Sequence, residues 1–128
     1  MSNLATGSFD VALTPSEGDE PAMGRMLIKK HYKGDLAGIA KGQMLSSRST
    51  VEGSAGYVAM ELFEGSLGDK FGTFVLLHKG LMTRGESSLR ISVVPDSGTG
   101  ELVGISGEMT IDIAEAVHNY TFDYRLAD

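Results

Sequence analysis

The sequence contains no cysteine. That absence excludes a disulfide framework, a thiolate nucleophile and any cysteine-ligated metal. Cations are scarce too: 11 Lys and Arg stand against 17 Asp and Glu, for a formal charge of −6 and a pI near 5.0. Nucleic acid draws its affinity largely from Lys and Arg on phosphates, so it is excluded as a partner. The one basic cluster, Lys29, Lys30, His31 and Lys33, reads as a solvated strand or hairpin tip. No apolar run reaches membrane-spanning length, and no membrane partner is expected. The start, MSNLATGSFDV, has neither a basic n-region nor an apolar h-region. A secretory signal is therefore not expected, and the cytoplasm is the expected compartment. Internal repeats and low-complexity stretches are also missing.

What is present suits one domain over residues 1–128. Hydrophobic residues make up 41% and charged residues 22%, which places the chain among globular rather than disordered sequences. Glycine, at 17 residues, follows no Gly-x-y period, so collagen is excluded. Such a density marks turns, bulges and tight strand crossings. The apolar runs are short and bounded by Gly, Pro, Asp or Ser: GSFDVAL, MGRMLIKKHY, LAGIAKGQML, AGYVAMELFEG, KFGTFVLLHKG, SSLRISVVP, GEMTIDI and HNYTFDYRL. Polar stretches, TPSEGDEPA and SSRSTVEGS, read as loops. The pattern predicts about eight or nine strands in an antiparallel barrel or sandwich. The best helix candidate, IDIAEAV, is short, and at most one turn near Ala114–Ala116 is expected.

One hairpin can be registered from its turn. With Gly68 and Asp69 as a two-residue turn, Leu67 pairs with Lys70. Counting outward sets Phe63 opposite Phe74, Glu61 opposite Leu76 and Ala59 opposite His78. One face then carries Tyr57, Ala59, Glu61, Phe63, Phe74, Leu76 and His78, and the other Val58, Met60, Leu62, Val75 and Leu77. Both faces are mostly apolar, so both are expected to be covered, and a homo-oligomer, dimer or trimer, follows. The HYKGDL turn allows a two-residue loop pairing Lys33 with Leu36, or a three-residue loop pairing Tyr32 with Leu36. Either way Gly38, Ala40 and Gly42 share a face, which suits a cavity or a close backbone approach. In the last strand His118, Tyr120, Phe122, Tyr124 and Leu126 form the buried face.

The glycines of SGTGELVGISGEMTI superficially suggest a dinucleotide-binding loop. That loop needs a helix directly after it to hold the pyrophosphate, and Gly104 and Gly107 interrupt any helix here. A bent, bulged strand pair with Leu102 and Ile105 as packing residues is the better reading. The segment resembles the Gly-Thr-Gly-x-(Leu/Phe)-x-Gly-x-x-Gly stretch of allene oxide cyclases and, more loosely, that of dirigent proteins. YKGDL, AMELFEGSLGDKFGTFVLLHKG and HNYTFDYRL resemble a bacterial family of unknown function assigned to the same barrel superfamily. The resemblance implies an all-β, eight-stranded antiparallel barrel, lipocalin-like in shape, often oligomeric, with an elongated apolar cavity. It carries no catalytic residue across.

The residues that remain for chemistry are Glu61 and His78. On adjacent strands they are diagonal neighbours, about 7–8 Å apart at the backbone. Among Tyr57, Phe63 and Phe74 a carboxyl is poorly solvated, which raises its pKa. Such a pair can act as general base and acid on a bound apolar molecule, or can fix strand register as a buried ion pair. Tyr57, Phe63, Phe74, His118, Tyr120 and Arg90 are the ligand-binding candidates. Arg48 and Arg90 suit either a clamp on a ligand carboxylate or surface ion pairs. Met23, Met26, Met44, Met60 and Met109 suit an apolar lining or core. The three histidines lack short metal-ligand spacing, and no Gly-x-Ser-x-Gly elbow occurs, so neither a metal nor a cofactor is expected. The leading expectation is binding of a small, largely apolar molecule in the barrel. The rivals are a cofactor-independent isomerase, cyclase or hydrolase using Glu61 and His78, and an interaction module with a filled barrel.

Overall fold

The computed structural model describes residues 3–15 and 23–126. The expected loop over 14–22 therefore lies mostly outside the described residues. The strands are β1 (Asn3–Pro15), β2 (Gly24–Gly34), β3 (Leu36–Arg48), β4 (Ala55–Leu67), β5 (Lys70–Thr83), β6 (Glu86–Val93), β7 (Ser106–Ala114) and β8 (Val117–Arg125). Each pairs antiparallel with its neighbour in sequence, and β8 closes on β1, giving an eight-stranded up-and-down barrel. The only helical element among the described residues is a single 3₁₀ turn, Gly100–Leu102. No helix among them is long and apolar enough to cross a membrane.

Period-two alternation drives the closure. Ala5 and Phe9 on β1, Ile28 and Tyr32 on β2, Phe63 and Leu67 on β4, Phe74 and Leu76 on β5 and Tyr120 and Phe122 on β8 all point inward and are buried. The β4–β5 hairpin has the register read from its turn: Leu67 opposes Lys70, Phe63 opposes Phe74 and Ala59 opposes His78. Gly68 takes the left-handed backbone that the first central turn position requires, with φ of 62°. The expected helical turn at Ala114–Ala116 is instead the β7–β8 hairpin turn. Glu115 and Ala116 both have positive φ, 51° and 67°, as a type I′ turn demands.

Two further expectations are corrected. The β2–β3 corner adopts neither register read from HYKGDL: Tyr32 opposes Gly38 and Lys30 opposes Ala40. The chain reverses tightly around Asp35 because remote backbone holds it. The Asp35 amide donates to the Thr6 carbonyl, its side chain accepts from the Thr6 amide, and its carbonyl accepts from the Gly68 amide. The small residues of β3 serve a close approach rather than a cavity: a Cβ on Gly42 would strike the Met60 carbonyl of β4.

The glycine segment is not a pair of crossing strands. It leaves β6, runs along β5, and inserts a plug. Thr99 bonds Thr73 through backbone and hydroxyl, Ser97 accepts from the Val75 amide, and Glu101 accepts from the Phe71 amide. Leu102 and Ile105 then seal that end of the barrel, fully buried as expected of them. The diversion leaves β6 and β7 paired only at Ile91–Met109 and Ser92–Glu108.

A chain of rings fills this closed half: Phe9, Tyr32, Phe63, Phe74 and Phe122 contact one another in series at 5.1–5.6 Å. The interior is therefore not one elongated cavity. Tyr120 ties the ring cluster to the β2–β3 corner. Its hydroxyl accepts from the Leu36 amide at 2.8 Å and faces the carbonyls of Lys33 and Leu36 at 3.0 and 3.2 Å. Tyr120→Phe strands buried backbone groups at that corner, and chemical denaturation should show a loss of about 1–3 kcal/mol. An unchanged unfolding midpoint would mean that the corner holds without the hydroxyl.

Candidate functional site

Four polar side chains meet inside the barrel where β2, β4 and β5 lie side by side with β3. Glu61 Oε1 accepts from His78 Nε2 at 2.8 Å, Tyr32 Oη at 2.9 Å and Lys30 Nζ at 3.1 Å. Glu61, Tyr32, Lys30 and His78 are all buried. The Lys30 ammonium also lies 4.6 Å from the centroid of the Phe9 ring, a cation–π contact. Among the described residues, Glu61 Oε2 is the one fully buried side-chain oxygen or nitrogen without a hydrogen-bond partner.

The local sequence explains the convergence. Lys30 falls between Ile28 and Tyr32 at period two, so it shares their inward face while Lys29, His31 and Lys33 face out. The reading of Lys30 as part of a solvated cluster is therefore overturned. Its alternation with two apolar residues was the available signal, and the neighbouring charges masked it. Gly42 on β3 stands directly opposite Glu61, where the β4 backbone approaches too closely for a side chain.

The expected rise of the Glu61 pKa is also overturned. Desolvation is the largest single influence and pushes the carboxyl up. The hydrogen bond from His78, the charge of Lys30, the charge of His78 and the bond from Lys30 together outweigh it, holding the carboxyl below its ordinary 4.5. Glu61 is thus a buried carboxylate, not a neutral acid. Burial pushes the Tyr32 hydroxyl far up, aided by the charge and hydrogen bond of Glu61, so Tyr32 remains a donor. Since His78 meets Glu61 through Nε2, its Nδ1 is left for a partner outside the cluster.

A cavity of about 570 Å³ opens at the barrel end opposite the plug. Its wall includes Met26, Met44, Tyr57, Leu81, Leu89 and Ile111, with Arg48 at the rim. Met26, Met44, Ala59 and His78 stand in one cross-strand row, and the Tyr57–Gly80 pair is the next inward position toward the opening. His78 thus shares a row with two residues of the cavity wall, while neither it nor Glu61 lines the cavity itself. The Tyr57 ring lies flat on Gly80, where a Cβ would come within 2.6 Å of Cζ. Burial raises the Tyr57 pKa.

The other candidates are dispersed. Phe63 and Phe74 are fully buried in the ring cluster, remote from the opening. His118 is half-buried, its ring 5.2 Å from Phe9. Tyr120 spends its hydroxyl on backbone. Arg90 lies on the outer wall, bonded through Nε and Nη2 to Glu108, both at 2.9 Å. Met109 is core, whereas Met23 and Met60 face outward. His31 is exposed. Among the described residues no three His, Asp or Glu side chains gather as a metal site would.

Fold and site together define a closed eight-stranded β-barrel with an ionic cluster sealed between a plugged half and an open half. Residues 5–124 match the family described as protein of unknown function (DUF3224), and the chain belongs to that family. A crystal structure of a DUF3224 protein of unknown function from Shewanella oneidensis MR-1 is similar throughout. The two share 41% identity over 100% of this chain and 99% of that one, with a TM-score of 0.94. No curated protein matches the chain.

Removing one member of a buried ionic cluster leaves the others uncompensated, which costs about 3–5 kcal/mol. Glu61→Gln and Lys30→Met should each destabilise the barrel on that scale near neutral pH, and the double variant by less than their sum. The pH dependence has a defined sign. With the folded pKa below 4.5, the unfolded chain binds the extra proton, so the stability from Glu61 is complete above 4.5. It is lost as pH falls through the folded value. The stability gap between the native chain and Glu61→Gln should therefore shrink as pH drops below 4.5. Denaturant titrations across the acid range check this; a constant gap would rule out an ionised Glu61 in the folded state.

Proposed function

We propose that this protein binds a small, largely apolar molecule in the open half of the barrel, its polar group directed toward His78 and Glu61. The observation that carries the reading is the 570 Å³ cavity at the open end, whose wall residues Met26 and Met44 share a cross-strand row with His78. Its size falls within the ordinary range of ligand pockets, and an apolar wall with few polar groups at one end is their usual make-up. Met26 and Met44 supply an adaptable surface. The filled aromatic half limits the occupant to a short body rather than a chain threading the barrel. The allene-oxide-cyclase-like resemblance of the glycine segment favours the same class of ligand.

A second reading, a cofactor-independent isomerase, cyclase or hydrolase, is favoured by the carboxylate–histidine pair. A carboxylate accepting from Nε2–H fixes the ring and leaves Nδ1 as the basic nitrogen. A bound molecule offering an acidic proton to Nδ1 would then meet a general base whose cation Glu61 stabilises.

The neutral fluorophore N-phenyl-1-naphthylamine tests the binding reading. Saturable enhancement is expected, with Met44→Glu weakening it at least about tenfold, or 1.4 kcal/mol. Short-chain alcohols, fatty acids and aromatic amines should compete with the fluorophore. No saturable binding by any of them would remove the proposal. Should one be turned over, His78→Ala and Glu61→Gln must both abolish turnover; unchanged rates would remove the catalytic reading alone.

A further inference from the structure

The outer wall over β3, β4 and β5 carries a continuous apolar patch. Ile39, Leu45, Val58, Met60, Leu62 and Leu77 are 38–51% exposed, and the register makes them neighbours. Four cross-strand rows describe it, from the open end to the closed end. The first row is Leu45, Val58 and Lys79; the second Gln43, Met60 and Leu77. The third is Lys41, Leu62 and Val75; the fourth Ile39, Glu64 and Thr73. A patch of contiguous apolar side chains such as this one exposes surface that a partner would bury.

We infer that this face docks on the same face of a second copy, with the two β4 strands antiparallel across a two-fold axis between Met60 and Leu62. That axis exchanges the second and third rows, and the first and fourth. Met60 then lies over Leu62 of the second copy, Leu77 over Val75 and Leu45 over Ile39. Gln43 meets Lys41, so no lysine faces a lysine. Lys79 falls beside Glu64 of the second copy, twice by symmetry. The face is self-complementary in both apolar content and charge, as an isologous contact requires. Two sheets stacked in this way pack about 10 Å apart with their side chains interleaved. The occupant is a second copy rather than a lipid surface because a charged residue of each sign, Lys79 and Glu64, sits at opposite ends of the patch.

Sedimentation analysis of the full chain at micromolar to millimolar concentration tests this, with circular dichroism as a check on folding. A dimer is expected. Leu62→Glu, on the outward face, should be monomeric with an unchanged spectrum. Lys79→Glu should weaken the dimer, and adding Glu64→Lys to it should restore the association, a rescue that loss of folding cannot imitate. A native monomer, a trimer, a dimer that survives Leu62→Glu, or a charge reversal without rescue would each overturn the inference.

Discussion

Glu61 Oε1 accepts three donors at once, and the four side chains involved come from three strands. A lone carboxylate in this interior would cost far more than a small domain's net stability. The cluster exists only because Lys30, Tyr32 and His78 arrive together. A slip of one residue in β2 would turn Lys30 and Tyr32 to solvent and leave Glu61 with His78 alone. Apolar alternation selects which face of each strand points in, but it tolerates a shift of two residues. The ionic cluster does not, so it adds a demand on register that ring packing alone does not make. β3 meets the same demand passively: Gly42 lets the β4 backbone beside Glu61 approach closely, and Ala40 stands opposite Lys30.

The cluster also marks where the barrel changes character. Beyond it, toward the β2–β3 corner, the interior is filled by aromatic rings and stoppered by Leu102 and Ile105. Toward the other end it opens between methionines and Tyr57. The asymmetry traces to the β6–β7 connection. Its side chains and backbone take over the β5 edge that β6 would otherwise extend along, and β6 and β7 are left joined by two residue pairs. Ser87, Ser88 and Leu89 of β6 and Ile111 of β7 consequently border the cavity. One loop thereby plugs the closed end and loosens the seam beside the open one.

Much of this was legible where a short turn fixed a long register. The Gly68–Asp69 turn by itself places Glu61, Phe63, Phe74 and His78 on one face, and alternation places Tyr120 and Phe122. The reading failed where distant groups decide. Asp35 is held by Thr6 and Gly68, partners that no local pattern reveals, and they set a corner that turn statistics did not anticipate. The glycine segment is held by hydroxyls and a carboxylate rather than by a strand ladder, so strand periodicity could not describe it. Lys30 is the instructive case. Its parity said inward and its neighbours' charge said outward. Parity prevailed because an internal carboxylate was there to receive it, which also reversed the expected direction of the Glu61 pKa.

β4 carries both surfaces that matter, separated by parity. Tyr57, Ala59, Glu61 and Phe63 face the interior, and Val58, Met60, Leu62 and Glu64 face outward, on the face proposed to meet a second copy. The proposed binding site and the proposed interface are thus back to back across one strand's thickness, with Gly42 and Gly80 flanking on β3 and β5. Alternation along a single strand normally contrasts core with water. Here both sides are apolar, and the polar exceptions differ in kind. Glu61 is buried and draws its three donors from within its own chain. Glu64 is exposed, and its counterpart in the proposed dimer is Lys79 across the two-fold. In the proposed dimer, register within the barrel and register between barrels are therefore set by two glutamates three residues apart, one facing each way.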